Sequence, residues 1–447
     1  MKKSLIFCLL LAMLFAFAAP VAAEDVAPSA DPNYYTVLVL DSSGTHNFSS
    51  GGKRIYSADP ATAEVKAAAI QFSETLLRMD GNHYVSVISY AEYASNLVNF
   101  TTDSSRVKNA INGIRTGGER VSVDRGLKMA HQALQSIDDP LAVKNVVIFT
   151  TGMNNTGDHN SNLKYNKETP ANTWYMDSNG NHRQDSSEYK LYEYANGALA
   201  SARVLHEYAN VYSIGLFETW DGMPKAGQEL VTFFKMFVED LANPLENYTP
   251  VYNKNEINEA FGQVCNGIIG NPFKDVTYIG FYFDAVLWAQ ENGITSGTDI
   301  HSFDPNEICT REQMVTFLWR SEGKVPPTVT YSPFTDITIG SWSYDPILWA
   351  TETGVTKGTG ATTFSPTDTV TREQVVTFLW RIAGEPKASA APVFTDIQPT
   401  DYSYEAIRWA AENKITYGTT DTTFSPKDPC TRGQIVTFLY RYYVENK

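Results

Sequence analysis

Residues 271–443 repeat one pattern three times, and that repetition limits what the chain can fold into more than any other feature. Phe273-Lys-Asp275, Phe334-Thr-Asp336 and Phe394-Thr-Asp396 recur at spacings of 61 and 60 residues. Trp288, Trp349 and Trp409 keep that register, as do Gly297, Gly358 and Gly418, and Thr310-Arg311, Thr371-Arg372 and Thr431-Arg432. The copies span 271–323, 333–384 and 393–443, joined by stretches rich in Pro, Ser, Thr and Ala.

Each copy predicts helix, loop, helix. The first helix carries the tryptophan, and the second opens on Thr with Gln three residues later. That spacing predicts a capping box, in which the hydroxyl accepts an orphan backbone N–H and the Gln side chain reaches back. The body of the second helix, Met314-Val-Thr-Phe-Leu-Trp319 and its two counterparts, is apolar almost all round and must be buried. Three such helices can bury one another, which predicts a central bundle with pseudo-threefold symmetry.

These landmarks resemble the S-layer homology (SLH) family: the Phe-x-Asp starts, the Thr-Arg helix openings, and the middles Gly293-Ile294-Thr-Ser-Gly297, Gly354-Val355-Thr-Lys-Gly358 and Lys414-Ile415-Thr-Tyr-Gly418. The resemblance implies an α-helical pseudo-threefold SLH trimer. It also implies non-covalent attachment to an anionic secondary cell-wall polysaccharide, often carrying ketal-linked pyruvate, in grooves between repeats. Candidate polymer-binding residues are Arg311, Arg372, Arg432, Asp275, Asp336, Asp396, Gly297 and Gly358. Each arginine falls in the first turn of a helix, where unpaired N–H groups and the dipole favour an anion. A planar guanidinium adds a two-pronged grip on carboxylate. The alternative is that each arginine only pairs with a repeat aspartate to lock the fold. Gly433 and Lys414 break the pattern in the third copy, which makes its site the weakest.

Residues 34–268 alternate strand-like and helix-like segments. Thr36-Val-Leu-Val-Leu40 is a continuous apolar run, as in a strand covered on both faces, and 84–89, 145–149 and 210–214 share that character. Helical stretches fall at 62–79, 124–137, 192–208 and 256–268, so the expected class is α/β, a mainly parallel sheet flanked by helices. The first strand ends in Asp41-Ser-Ser43-Gly-Thr45, which looks like the opening of the metal-ion-dependent adhesion site of the von Willebrand factor type A (VWA) family. Carboxylate and hydroxyls there suit a hard cation, Mg²⁺ or Ca²⁺. Ser122, or with a poorer fit Glu119, could supply the second element, but Thr150-Thr151-Gly152 stands where a Thr-Asp-Gly is expected, so the site could equally be a retained, metal-free turn. A second candidate is a calcium loop with the spacing of an EF-hand, Asp177, Asn179, Asn181, Arg183 (by its carbonyl), Asp185 and Glu188, against the reading of a plain polar loop.

Residues 1–23 read as a secretory signal peptide: Lys2 and Lys3, an apolar stretch, then Val21-Ala22-Ala23. A short linker, 24–33, follows. Removing the leader leaves 33 basic against 50 acidic residues, net −17, which argues against nucleic acid or an anionic bilayer as partner. No later segment is apolar enough to span a membrane. Cys265, Cys309 and Cys430 are too few for a disulfide framework, though the equivalent Cys309 and Cys430 could pair. No catalytic constellation is visible among the seven scattered histidines and the carboxylates. The expectation is a secreted, non-enzymatic protein of the cell wall or S-layer that presents the VWA-like domain for adhesion or protein binding. A self-assembling S-layer subunit is the alternative, and a wall glycan hydrolase a more distant one.

Overall fold

The computed structural model describes residues 32–43, 46–48, 54–56, 62–79, 82–117, 120–152, 157–158, 160, 163–166, 175–176, 182–183, 191–217 and 225–446. The expected signal peptide and nearly all of the linker lie outside these residues, as do Thr45, Asp177, Asn179, Asn181, Asp185 and Glu188. The described strands are β1 (Asn33–Asp41), β2 (His46–Phe48), β3 (Arg54–Tyr56), β4 (Asn82–Tyr90), β5 (Ala94–Thr101), β6 (Val143–Thr150), β7 (Tyr175–Met176), β8 (His182–Arg183), β9 (Asn210–Leu216) and β10 (Tyr248–Val251). Six of them form one sheet in the order β10-β9-β6-β1-β4-β5, parallel throughout except for β5, which pairs antiparallel with β4.

Helices α1 (Thr62–Arg78), α2 (Ser104–Asn112), α3 (Val123–Gln135), α4 (Leu191–His206), α5 (Lys225–Leu241) and α6 (Ile257–Ile269) accompany the sheet. Because side chains alternate along a strand, β1 feeds two cores. Val37 and Val39 pack with Leu127, Leu134 and Phe237, while Leu38 and Leu40 pack with Phe72 and Phe261. All four β1 side chains are buried, as a strand covered on both faces requires.

The repeats supply α7 (Phe283–Glu291) and α8 (Arg311–Ser321), then α9 (Tyr344–Glu352) and α10 (Arg372–Ile382), then α11 (Tyr404–Glu412) and α12 (Arg432–Tyr440). Each second helix lies against the first helix of the next copy: α8 on α9, α10 on α11, and α12 back on α7. At the heads of the second helices the equivalent residues Cys309, Val370 and Cys430 close a triangle. Val370 N–H donates to Cys309 O (3.0 Å), Cys430 N–H to Val370 O (2.9 Å), and Cys309 N–H to Cys430 O (3.1 Å). The thiols of Cys309 and Cys430 are free and buried, and burial pushes both up to about 12. The expected threefold symmetry is thus a closed ring.

No flexible spacer separates sheet and ring. The core behind Leu38 and Leu40 runs on into Phe273, Met314, Phe364 and Ile435. At the join, Asn266 of α6 donates its side-chain amide to Val276 O at 2.7 Å and Phe273 O at 3.3 Å. Arg78 at the end of α1 pairs with Asp284 of α7 at 3.0 Å.

Candidate functional site

The heads of α8, α10 and α12 are the corners singled out by sequence. Capping boxes form there in repeat 1, where Thr310 N–H reaches Gln313 Oε1 at 2.9 Å, and in repeat 3 at 3.2 Å. Repeat 2 has the capping box as well, in a looser form, with the Thr371 N–H reaching Gln374 Oε1 at 3.3 Å.

The expectation that first-turn amides await an anion is not met. Arg311 N–H donates to Asp368 O (2.9 Å) and Glu312 N–H to Pro366 O (3.0 Å). Arg372 and Glu373 use Asp428 O and Pro426 O, and Arg432 and Gly433 use Glu307 O and Pro305 O. The orphan donors of each helix are consumed by the neighbouring copy's loop, so the helix ends make the seam between repeats.

The guanidinium groups also point across that seam. Arg311, Arg372 and Arg432 are 3%, 3% and 6% exposed. Their Nε–H groups donate to Phe364 O (2.9 Å), Phe424 O (2.9 Å) and Phe303 O (2.7 Å) of the next copy. Each lies over the ring of that same phenylalanine at 4.8, 4.8 and 4.7 Å, a contact worth about 0.5–2 kcal/mol. Burial pulls all three below the ordinary arginine value. The alternative of simple pairing with a repeat aspartate is not found either, because no ion pair within 4 Å joins these arginines to Asp275, Asp336 or Asp396 among the described residues. Those aspartates instead close their own loops. Asp275 accepts the N–H of Phe303 (2.9 Å) and Asp304 (2.7 Å), and Asp336 and Asp396 do the same in their copies. Gly297 and Gly358, also expected at the polymer, have φ of +85° and +77°. A Cβ on either would lie within 2.6 Å of loop carbonyls and of Phe273 or Phe334. Both are turn residues whose Cβ side faces inward.

The three corners are unequal. Arg311 Nη2 and Arg372 Nη2 are buried with no hydrogen-bond partner, whereas Arg432 leaves no such orphan and bonds toward Cys309. Beside Arg311, Glu312 accepts from Ser343 of the next copy (2.6 Å), and beside Arg372, Glu373 accepts from Ser403 (2.8 Å). At the third seam the glutamate is Gly433 and the serine is Tyr282. A Cβ on Gly433 would stand 2.8 Å from the Tyr282 ring, so tyrosine fills what glutamate and serine occupy elsewhere. Trp342 and Tyr402, next to those serines, are 58% and 56% exposed.

Sequence reasoning missed a second arginine set. Arg320, Arg381 and Arg441 donate Nη1–H to Ile294 O (3.0 Å), Val355 O (2.9 Å) and Ile415 O (3.3 Å), holding the Gly-Ile-Thr-type loops. The repeated Trp319-Arg320, Trp380-Arg381 and Tyr440-Arg441 carried that signal.

At the end of β1, Asp41 Oδ1 accepts from Ser43 N–H (2.8 Å) and Ser43 Oγ–H (2.6 Å). Its Oδ2 accepts from Thr151 N–H (2.9 Å) and Thr151 Oγ1–H (3.0 Å). Burial raises its pKa despite these bonds. Thr151 therefore answers Asp41 where a second carboxylate would serve a cation, and Ser122 Oγ–H turns to Asp124 at 2.7 Å. Of the expected ligands, Asp41 and Ser43 are in hydrogen-bond contact, Ser122 is bonded to Asp124, and Thr45 lies outside the described residues. Of the EF-hand-like loop only Arg183 is described, in β8 paired with β7; Asp177, Asn179, Asn181, Asp185 and Glu188 lie outside the described residues. Among the described residues no group of three or more His, Cys, Asp or Glu could hold a metal ion, and no helix is long and apolar enough to cross a membrane.

A family model for the S-layer homology domain matches residues 272–315, 333–376 and 393–436. One for the von Willebrand factor type A domain matches 36–154. An S-layer protein of Bacillus thuringiensis subsp. finitimus is 26% identical over 174 residues, 38% of this chain and 21% of the relative. A surface-layer 125 kDa protein of Lysinibacillus sphaericus is 26% identical over 187 residues, 39% and 15%. An endoglucanase of Bacillus sp. (strain KSM-635) is 39% identical over 111 residues, 25% and 12%. The chain thus spans under a quarter of the length of each. Among solved structures, the vWF domain of the type V pili tip protein Mfa5 from Porphyromonas gingivalis aligns over 54% of this chain and 96% of its own, at 15% identity and TM-score 0.39.

Proposed function

We propose that this chain, which carries three S-layer homology domains behind a von Willebrand factor type A domain, is a secreted cell-surface protein that grips an anionic secondary cell-wall polysaccharide and presents the A-type domain outward for adhesion or protein binding. The observation that supports the grip is the pair of orphaned guanidinium nitrogens, Arg311 Nη2 and Arg372 Nη2. A buried donor left unpaired costs about 1–3 kcal/mol, which a ligand oxygen would relieve. Access requires the covering side chains to part beside Trp342 and Tyr402, whose exposed rings offer a face to sugar C–H groups. The polymer therefore occupies two seams, between repeats 1 and 2 and between 2 and 3, while Tyr282 plugs the third. Titration calorimetry of the full chain with purified wall polymer tests this. A stoichiometry of two sites supports it, and no heat with an acidic polymer overturns it.

Nothing in this reading runs through Mg²⁺ or Ca²⁺, and the chain is read as a binding protein without catalysis. The S-layer relatives favour a second reading, a structural subunit that self-assembles. Ordered sheets from the purified chain would favour that role over adhesion.

A further inference from the structure

The A-type domain and the ring enclose a pocket of about 320 Å³ between the start of β1 and β4, the ends of α1 and α6, and α7 with α12. It runs along α7 from Asp284 to Glu291. One wall is Trp288, braced by Tyr443 (stacked, 6.1 Å) and Tyr440 (edge-on, 5.8 Å). His83, stacked on Tyr34 at 4.6 Å, also lines the pocket. His83 is 6% exposed and its Nδ1 has no partner, and burial keeps its imidazole neutral, so a ring nitrogen can accept a hydrogen bond. Gln290 and Glu291 line the pocket at the end of α7 and hold no side-chain hydrogen bond among the described residues. Arg78 is already paired with Asp284, so Glu291 leaves the lining net negative and an anion is disfavoured.

An aromatic wall with several unspent acceptors and no free cation suits a molecule with a C–H face and many hydroxyl donors. We propose that the pocket between the two domains binds a neutral pyranose ring, its C–H face on Trp288 and its hydroxyls donating to Glu291, the Gln290 carbonyl oxygen and His83. The volume is at the low end of the roughly 300–1,000 Å³ of small-molecule sites, which limits the occupant to about one or two rings. This site is separate from the anionic polymer seams and does not depend on them.

The test uses the full chain with the neutral methyl glycosides of glucose, galactose and N-acetylglucosamine, read by saturation-transfer NMR and titration calorimetry. At least one should bind with a Kd on the order of 1 mM. Affinity should fall about tenfold in Trp288→Leu and about threefold or more in the surface variant Glu291→Gln, whose wall retention stays normal. Because Trp288→Leu also disturbs packing, Glu291→Gln and His83→Phe decide the matter if it fails to fold. No transfer to any of the three glycosides at about 20 mM, or equal affinity in Glu291→Gln and His83→Phe, overturns the proposal.

Discussion

Two polar corners of this molecule are built to opposite ends. At the end of β1 the Asp41 carboxylate receives four donors on two oxygens. At the heads of α8 and α10 a guanidinium has spent one nitrogen on a neighbouring carbonyl and keeps another with nothing to bond. Both are buried, and both stand out in the sequence for the same reason, a charged residue at the end of an element. The difference teaches that burial and charge do not by themselves mark a binding site. Unspent hydrogen-bonding capacity is the better guide, because there a ligand would relieve a cost the fold carries.

The strongest challenge to this contrast is to blunt the unspent donors. Arg311→Lys together with Arg372→Lys keeps charge but loses the planar fork, and retention on purified walls in a cosedimentation assay should drop more than about tenfold. Arg432→Lys alone should change it by less than about threefold. Equal losses from the two would erase the distinction between seams. Next, Tyr282→Ser with Gly433→Glu rebuilds the third seam on the plan of the other two. Calorimetry should then count three polymer sites where two are proposed for the parent, and an unchanged count would show that Tyr282 is no plug.

The two regions should also respond differently to acid. Burial holds His83 below its ordinary 6.5, so below that pH the unfolded chain takes up a proton that the folded chain refuses. Its contribution is intact above about pH 6.5 and is lost as pH falls toward the lowered value. Urea unfolding should show that loss in the parent and a flatter profile in His83→Phe, whereas the seam arginines, though lowered by burial, contribute no slope in this range. The smallest effect expected is none: millimolar Mg²⁺ or Ca²⁺ should leave the melting temperature within about 1 °C, and a larger rise would mean Asp41 can exchange its four donors for a cation.

How much of this was legible depended on how far apart the partners lie. The continuous apolar runs such as Val37–Leu40 and the helical stretches of the first domain were readable because their patterns are local, and the four strands and four helices expected there agree with the structure to within about three residues. The edge strand β5 and the short helix α2 were not legible. β5 shows solvent Ser95, Asn96 and Leu97 in a row with little alternation, and α2 buries only Val107 and Ile111. The identity of the corner arginines was readable, but their surroundings were not. Phe364, Asp368 and Pro366 stand more than fifty residues from Arg311 and come to it only when the ring closes, so the open helix end the sequence promised was filled by distant chain. The Gly433–Tyr282 exchange was visible as a broken motif, yet its meaning required knowing that copy three touches copy one.

That closure has a mechanical consequence. A row of stacked repeats has two outer members that can peel off while the rest persist. The triangle of Cys309, Val370 and Cys430 leaves no outer member: detaching any one copy breaks two of its three amide links and uncovers apolar helix surface on both neighbours. A chain tugged from outside the wall would therefore hold as a unit until it lets go as a unit, and a protease nicking one repeat would have to unseat all three.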